Sequence, residues 1–162
     1  MATGGIKDKI LAWVKIARLQ FYPMAWVAYS LGAVAASKGS QKFDLQAYGA
    51  GYLALFFIEL STILTNEYYD YATDRLNENA GPFTGGTRIL VEGKLGFHEV
   101  KIGILVALGL VVGFGSMLIR INPGVSPLSI FLLLLIGVFL GLGYTAPPSN
   151  SVIAGWGGLP LG

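Results

Sequence analysis

Cysteine is absent from this chain, and charged residues are scarce. The 162 residues include no cysteine, so they offer neither a disulfide framework nor a thiolate metal site. Only 12 % of them are charged, against the roughly 25 % typical of soluble domains, while 54 % are hydrophobic. The formal net charge of +2 is too small to indicate nucleic-acid binding. This composition is typical of an integral membrane protein.

Long apolar segments take the place of the missing charge. A helix needs roughly 20 residues to cross about 30 Å of hydrocarbon. Four stretches approach that length: 19–36, 47–65, 102–119 and 125–144. An amphipathic stretch at 6–18 precedes the first of them and is expected to lie along the membrane interface. We therefore predict an all-α, polytopic membrane bundle with four transmembrane helices.

Lysine and arginine indicate the orientation, because loops rich in them tend to stay on the cytoplasmic side. The N-terminal segment and the 66–101 connection together contain eight such residues, whereas the opposite side has three: Lys38, Lys42 and Arg120. Two predicted spans separate the two rich regions, so both face the same side. We expect the N-terminus and the 66–101 connection to be cytoplasmic.

An acidic row stands where the second predicted span ends. In the stretch TNEYYDYATDRL, Asn66, Asp70 and Asp74 recur every four residues and so share one face of a helix. Like charges at this spacing repel each other, and the C-terminal end of a helix already carries partial negative charge. Oxygen ligands of this kind suit Mg²⁺, which often shares its coordination with a substrate phosphate. The alternative is a solvated acidic helix end paired with Arg75 or Lys94.

The connection after the row supplies positive charge. Its sequence, NENAGPFTGGTRILVEGK (77–94), contains glycines that let a bulky anion approach the backbone, and Arg88 and Lys94 are natural partners of a diphosphate. This combination indicates a metal–diphosphate site, and the alternative is a flexible loop whose charges only set the orientation. Glu59, about two turns inside the bilayer, either lines a polar cavity or makes a structural hydrogen bond.

These residues resemble a known family. The stretch NEYYDYATD has the N-x-x-x-D-x-x-x-D form of the first aspartate-rich motif of the UbiA superfamily of intramembrane aromatic prenyltransferases. Arg18 at the opening of the first span, the segment TRILVEGKL and the turn GYTAPP at 143–148 are similar to further features of that family. The resemblance runs from about Arg18 to Pro148, which is most of the chain.

The resemblance implies a fold and a reaction. Members are similar in fold to a nine-helix all-α membrane bundle around a central cavity, so residues 1–162 would be the N-terminal part of one such domain. It implies Mg²⁺-dependent transfer of a polyprenyl group from its diphosphate to an aromatic acceptor in quinone (menaquinone-like) biosynthesis. The segment TRILVEGKL favours a dihydroxynaphthoate acceptor, and hydroxybenzoate, homogentisate, haem and a glycerol-phosphate lipid are the alternatives. The metal ligands implied are Asp70, Asp74 and Asn66. The diphosphate-binding residues implied are Arg88, Lys94 and Arg18.

A second aspartate-rich motif, which the family carries in its later helices, is not found in this sequence. We therefore expect the chain to be the N-terminal fragment of a longer protein, and we expect the C-terminal half of that protein to carry the second motif. The partners expected are a polyprenyl diphosphate, an aromatic acceptor and the lipid bilayer. The alternative from a different functional class is a small four-helix membrane protein of transport or scaffold type, whose acids form a cation site.

Overall fold

The structure, a computed structural model, describes residues 5–40, 42–76 and 86–145. Helices make up most of these residues, and no strand occurs among them. The helices are α1 (Ile6–Ile16), α2 (Tyr22–Ser40), α3 (Leu45–Tyr69), α4 (Tyr71–Leu76), α5 (Phe97–Ile121) and α6 (Pro127–Thr145), with a 3₁₀ turn at Leu19–Phe21 before α2. The all-α prediction is confirmed for this part of the chain.

Polar contacts define where the two longest helices begin. α3 begins after Asp44, whose Oδ1 accepts hydrogen bonds from the N–H groups of Gln46 and Ala47 at 2.8 and 2.9 Å. α5 begins after Gly96, whose N–H donates to Glu99 Oε2 at 2.8 Å. Such contacts satisfy backbone donors that a helix N-terminus leaves unpaired. Both helices therefore begin before the apolar runs that mark them in the sequence.

Among the described residues, three helices are long and apolar enough to cross a membrane: Leu45–Tyr69, Phe97–Ile121 and Pro127–Tyr144. They contain most or all of the second, third and fourth predicted spans. The first predicted span, 19–36, forms the 3₁₀ turn and most of α2, whose tyrosine, serine and glycine residues dilute its apolar side chains. The chain has the features of a membrane protein. A fourth span, the nine-helix fold and the cytoplasmic side of the N-terminus remain predictions.

α3 is the central helix of the bundle and contacts each of the other helices. Its contact with α6 is made where glycines of α6 meet side chains of α3. A Cβ atom at Gly137 would lie 3.3 Å from Ile58 Cδ1, and one at Gly141 would overlap Thr62 Oγ1. The two contacts are four residues apart on both helices. Small residues at this spacing let helices approach closely in lipid.

We expect the Gly141→Ala variant to lower the thermal unfolding temperature of the protein in detergent. Its methyl group would displace the Thr62 hydroxyl, which donates to the Ile58 carbonyl at 2.9 Å. Overpacking of this kind costs about 1–3 kcal/mol. Gly113→Ala is the matched control, because nothing lies within 4 Å of a Cβ atom there. Equal unfolding temperatures for the two variants would contradict the α3–α6 contact.

A buried apolar cluster anchors the connection between α4 and α5 at one end of the bundle. The cluster consists of Ala12, Ile16, Leu64, Ile89, Leu90, Leu95 and Val100. Three of these side chains come from residues 86–96, so the described part of the connection packs against α1, α3 and α5. Residues 77–85, with the first glycines predicted to meet the anion, lie outside the described residues, as do residues 146–148 of GYTAPP.

Candidate functional site

The acidic row lies where α3 passes into α4. Asp70 is the C-terminal capping residue of α3, and Asp74 lies in the first turn of α4. The N–H of Asp70 donates to the Asn66 carbonyl and the N–H of Asp74 to the Asp70 carbonyl, both at 2.8 Å. The helical hydrogen-bond pattern thus continues through the junction. It keeps the three residues on one side of the chain, as their spacing predicts.

The surroundings of Asp70 and Asp74 disfavour negative charge. Burial raises the pKa of Asp70 above its ordinary value, and the Glu67 carboxylate raises it further. A hydrogen bond from Asn66 and the charge of Arg18 act in the opposite direction on this pKa. The pKa of Asp74 is also raised, first by burial and then by the charges of Glu67 and Asp70. A cation between the two aspartates would relieve this repulsion.

Glu67 is a buried carboxylate that the sequence interpretation missed. Its side chain is 2 % exposed. Oε1 accepts hydrogen bonds from Arg18 Nη2 at 2.5 Å and from the Thr87 N–H at 3.0 Å, and Oε2 accepts one from Thr87 Oγ1 at 2.7 Å. A single carboxylate on α3 therefore binds both Arg18 and Thr87, which lies in the connection between α4 and α5. One feature of the sequence could have indicated this role: Glu67 is an acid at the end of a membrane-length helix, where an unpaired charge is costly and a partner is therefore expected.

Arg18, which was predicted to bind the diphosphate, lies beside the row but is held by Glu67. It occupies the left-handed backbone region (φ 48°, ψ 48°), which is uncommon for residues other than glycine. This conformation separates α1 from the 3₁₀ turn. The charge of Arg18 lowers the pKa of both Asp70 and Asp74, against the larger effects that raise them. Arg18 thus contributes positive charge to the row, and its contact with a diphosphate remains a prediction.

Arg88 lies at the end of the row, next to Asp74. Its Nη1 donates to the Asp74 carbonyl at 2.9 Å. Two residues earlier, Gly86 has a φ of +68°, and a Cβ atom there would overlap the Asp74 carboxylate. Glycine is therefore required at this position for two reasons: its backbone conformation is left-handed, and the Asp74 carboxylate leaves no room for a Cβ atom. The structure places Arg88 close to Asp74, and its contact with a diphosphate remains a prediction.

Lys94 makes a different contact. Its Nζ lies 2.6 Å from Glu92 Oε2, and its side chain is 52 % exposed. The pairing lowers the pKa of Glu92. Within the described residues, no hydrogen bond or ion pair joins Lys94 to the acidic row. Its predicted contact with a diphosphate remains a prediction.

The row offers oxygen donors of the kind that Mg²⁺ takes. In the part of the chain that the structure describes, no three His, Cys, Asp or Glu side chains are grouped to hold a metal. A cage made only of protein carboxylates is therefore not present there. Mg²⁺ is usually held by one or two carboxylates together with water and substrate phosphates. Asp70, Asp74 and the Asn66 amide match that requirement in number and chemistry.

No protein-family model, curated protein or solved structure matches this chain. The resemblance to the UbiA superfamily therefore rests on the sequence motifs alone and remains a prediction.

Proposed function

We propose that this chain binds a prenyl diphosphate with Mg²⁺ at the acidic row, as part of an intramembrane prenyltransferase. The polyprenyl group would pass to an aromatic acceptor in quinone (menaquinone-like) biosynthesis. The proposal is supported by one observation above all: Asp70 and Asp74 follow each other by one helical turn at the end of a membrane-length helix, and the Arg88 side chain donates to the Asp74 carbonyl there. The carboxylates require a cation, and the guanidinium suits an anion. A metal–diphosphate satisfies both.

The position of the row also suits the amphiphilic nature of a prenyl diphosphate. Asn66 to Asp74 follow directly on the apolar part of α3, so a charged head group bound there has apolar helix surface beside it for a hydrocarbon tail. A free phosphate or nucleotide would make no use of that surface. The proposed substrate therefore accounts for both the charges and their location.

Each residue of the site has a distinct role in this proposal. Asp70 and Asp74 would hold Mg²⁺, and Asn66 would be a further ligand or would orient Asp70 through their hydrogen bond. Bound Mg²⁺ would neutralise negative charge on the diphosphate as it leaves. Arg88 would donate to a phosphate oxygen, where a preorganised positive charge stabilises the leaving group. Exclusion of water by the helices would protect the carbocation-like prenyl group.

Binding of geranyl diphosphate to the purified chain in detergent tests the proposal. We expect binding that requires Mg²⁺, is lost on chelation, and exceeds the binding of geraniol or pyrophosphate. Tight Mg²⁺ binding with no affinity for geranyl diphosphate would contradict the proposal and favour the cation site of a transport or scaffold protein. Transfer assays on the full-length protein, with dihydroxynaphthoate, hydroxybenzoate and homogentisate, then identify the acceptor.

The Arg88→Ala variant should bind geranyl diphosphate about ten-fold or more weakly, because a hydrogen bond to a charged group contributes about 1.5–3 kcal/mol. Arg88→Lys should recover part of the affinity, since lysine keeps the charge but not the planar fork of donors. Arg120→Ala is the control, because Arg120 lies in the last turn of α5, away from the acidic row. A loss of affinity for the aromatic acceptor alone would contradict this role.

A further inference from the structure

Two rows of side chains attach α1 to the bundle, because residues four apart lie on one face of a helix. The row that is buried in the apolar cluster consists of Ala12 and Ile16. In the neighbouring row, Lys9 Nζ forms an ion pair with Glu99 Oε1 at 2.6 Å. Trp13 follows one turn later and packs on Gly103, where a Cβ atom would lie 2.8 Å from the Trp13 ring. α1 is therefore held against α3 and α5 along one side, and its other side is open.

The open side of α1 has two rows of different character. One row is apolar, and its members Ile6, Ile10 and Val14 are 82, 56 and 52 % exposed. The other row is also exposed and consists of Lys7, Leu11 and Lys15. A helix that separates apolar from basic side chains in this way suits the boundary between hydrocarbon and lipid head groups. The apolar row would face the hydrocarbon, and the basic row would lie level with the head groups.

A cleft of about 400 Å³ opens beside the apolar row. Ile10 and Val14 form part of one wall, and the opposite wall belongs to α3 and α5. That wall includes Phe57 and Leu110, which lie near the middle of their helices. Ligand sites commonly have this size and predominantly apolar walls. Because the cleft extends from α1 toward the middle of two membrane-length helices, it suits a hydrocarbon chain that descends from the interface.

The cleft lies on a different side of α3 from Asn66, the member of the acidic row nearest the apolar part of that helix. Leu60 and Leu64 line the cleft. Asn66 follows them by six and two residues, which places it about 120–160° away from them around the helix axis. A chain that extended from the acidic row into the bilayer past Asn66 would therefore not enter the cleft. The cleft remains for a lipid of the bilayer itself.

The charges of α1 favour an anionic lipid. Among the ion pairs of the described residues, none includes Lys7 or Lys15. Lys15 is close enough to Glu92 to lower the pKa of that carboxyl, but Glu92 is already paired with Lys94. Asp8, the acid of α1, accepts a hydrogen bond at the N-terminus of the helix. Lysines near a membrane surface attract anionic lipids. Lys7 and Lys15 are therefore available to a negatively charged head group.

We propose that α1 and the cleft beside it form a binding site for an anionic phospholipid such as phosphatidylglycerol. One acyl chain lies in the cleft along Ile10 and Val14, and Lys7 and Lys15 supply the positive charge that attracts the head group. The inference goes beyond the interfacial position that the sequence predicts for residues 6–18, because it names a class of lipid and the residues that bind it. It does not depend on the proposed binding of a prenyl diphosphate.

Fluorescence of Trp13 reports on the site, because Trp13 lines the cleft. The other two tryptophans, Trp26 and Trp156, are replaced by phenylalanine so that Trp13 alone is observed. In mixed micelles, brominated phosphatidylglycerol should reach half-quenching at about one tenth of the mole fraction that brominated phosphatidylcholine requires, because choline cancels the phosphate charge. Lys7→Gln combined with Lys15→Gln should remove this preference. Equal half-quenching by the two lipids, or a preference that survives the loss of both lysines, would overturn the proposal.

Matched variants separate the site from general effects of charge and size. Lys38→Gln should leave the preference unchanged, because Lys38 lies in the last turn of α2, at the far end of that helix from α1. Val106→Phe should weaken quenching by both lipids, since Val106 lines the cleft and a larger side chain fills it. Val112→Phe is its control, because Val112 is also exposed on α5 but does not line this cleft. Equal quenching in the two valine variants would overturn the proposal as well.

Native mass spectrometry of the unmodified chain gives a second measurement that needs no variant. From micelles that contain equal amounts of phosphatidylglycerol and phosphatidylcholine, the chain should retain mainly phosphatidylglycerol. Retention of the two lipids in equal amounts would also overturn the proposal, whether or not the variants fold.

Discussion

The Asp70→Asn and Asp74→Asn variants are each expected to lose Mg²⁺-dependent binding of geranyl diphosphate by at least about 100-fold. Each substitution removes the negative charge of one carboxylate and leaves the size of the side chain almost unchanged. Residues that only orient a metal ligand already contribute 10–100-fold to metal affinity or activity. The loss of a carboxylate that holds the ion should therefore be at least as large. Binding is measured by titration with and without Mg²⁺.

Stability measurements distinguish this loss from misfolding. Burial and neighbouring carboxylates raise the pKa values of Asp70 and Asp74, so their ionised forms are disfavoured in the folded protein. A neutral asparagine relieves that repulsion. With a chelator present, both variants should unfold at the same or a higher temperature than the unmodified protein. Asp44→Asn, at the other end of α3, should retain binding, since asparagine is also a good N-terminal cap. Unchanged Mg²⁺-dependent binding in either row variant would contradict the metal assignment.

Replacing Glu67 by alanine is expected to have the largest effect on folding stability, about 3–5 kcal/mol, because removal of one partner leaves a buried charge uncompensated. Arg18 would lose its carboxylate, and both the N–H and the hydroxyl of Thr87 would lose their acceptor. The free energy of unfolding is measured by denaturant titration in mixed micelles. Glu67→Gln should cost less than alanine, since the amide oxygen can still accept from Thr87.

Glu92→Gln is the matched control for Glu67. It also removes a carboxylate from an ion pair, but the Glu92 and Lys94 side chains are 38 % and 52 % exposed. Exposed pairs contribute about 0–1 kcal/mol. If Glu67→Ala destabilised the protein no more than Glu92→Gln, the contacts of Glu67 would not hold the site together. Separate titration with geranyl diphosphate then shows whether Glu67 also positions the residues that bind it.

The helices could be predicted to within a few residues because an apolar run is a local property of the sequence. The predicted span 47–65 lies inside Leu45–Tyr69, and 125–144 nearly coincides with Pro127–Thr145. The helix ends were less predictable. α3 continues to Tyr69 because the backbone hydrogen bonds form there irrespective of side-chain polarity. In the first predicted span, 19–36, the α-helix begins only at Tyr22, after the 3₁₀ turn that follows Arg18. This could not be predicted, because nothing local in the sequence indicates the left-handed conformation of Arg18.

The acidic row could be predicted for a similar reason, because side chains four residues apart need only one helix to bring them together. The contacts of Glu67 could not be predicted, because its partners Arg18 and Thr87 lie 49 and 20 residues away in the sequence and follow no periodic pattern. Lys94 was assigned to the diphosphate on charge alone. Its pairing with Glu92 depends on the turn at residues 88–94, where the Lys94 N–H donates to the Ile89 carbonyl at 3.0 Å.

The separation between Glu67 and its partners also has a consequence for biogenesis. The ribosome releases Arg18 first, Glu67 much later and Thr87 last, and domains begin to fold from the N-terminal side during synthesis. The Glu67 carboxylate can be buried at low cost only when both partners are in place. Contacts between distant parts of a chain form slowly, because the intervening loops must close first. We therefore expect α3 to insert into the bilayer before the contacts of Glu67 form. The surroundings of the acidic row can be complete only after translation has passed residue 87.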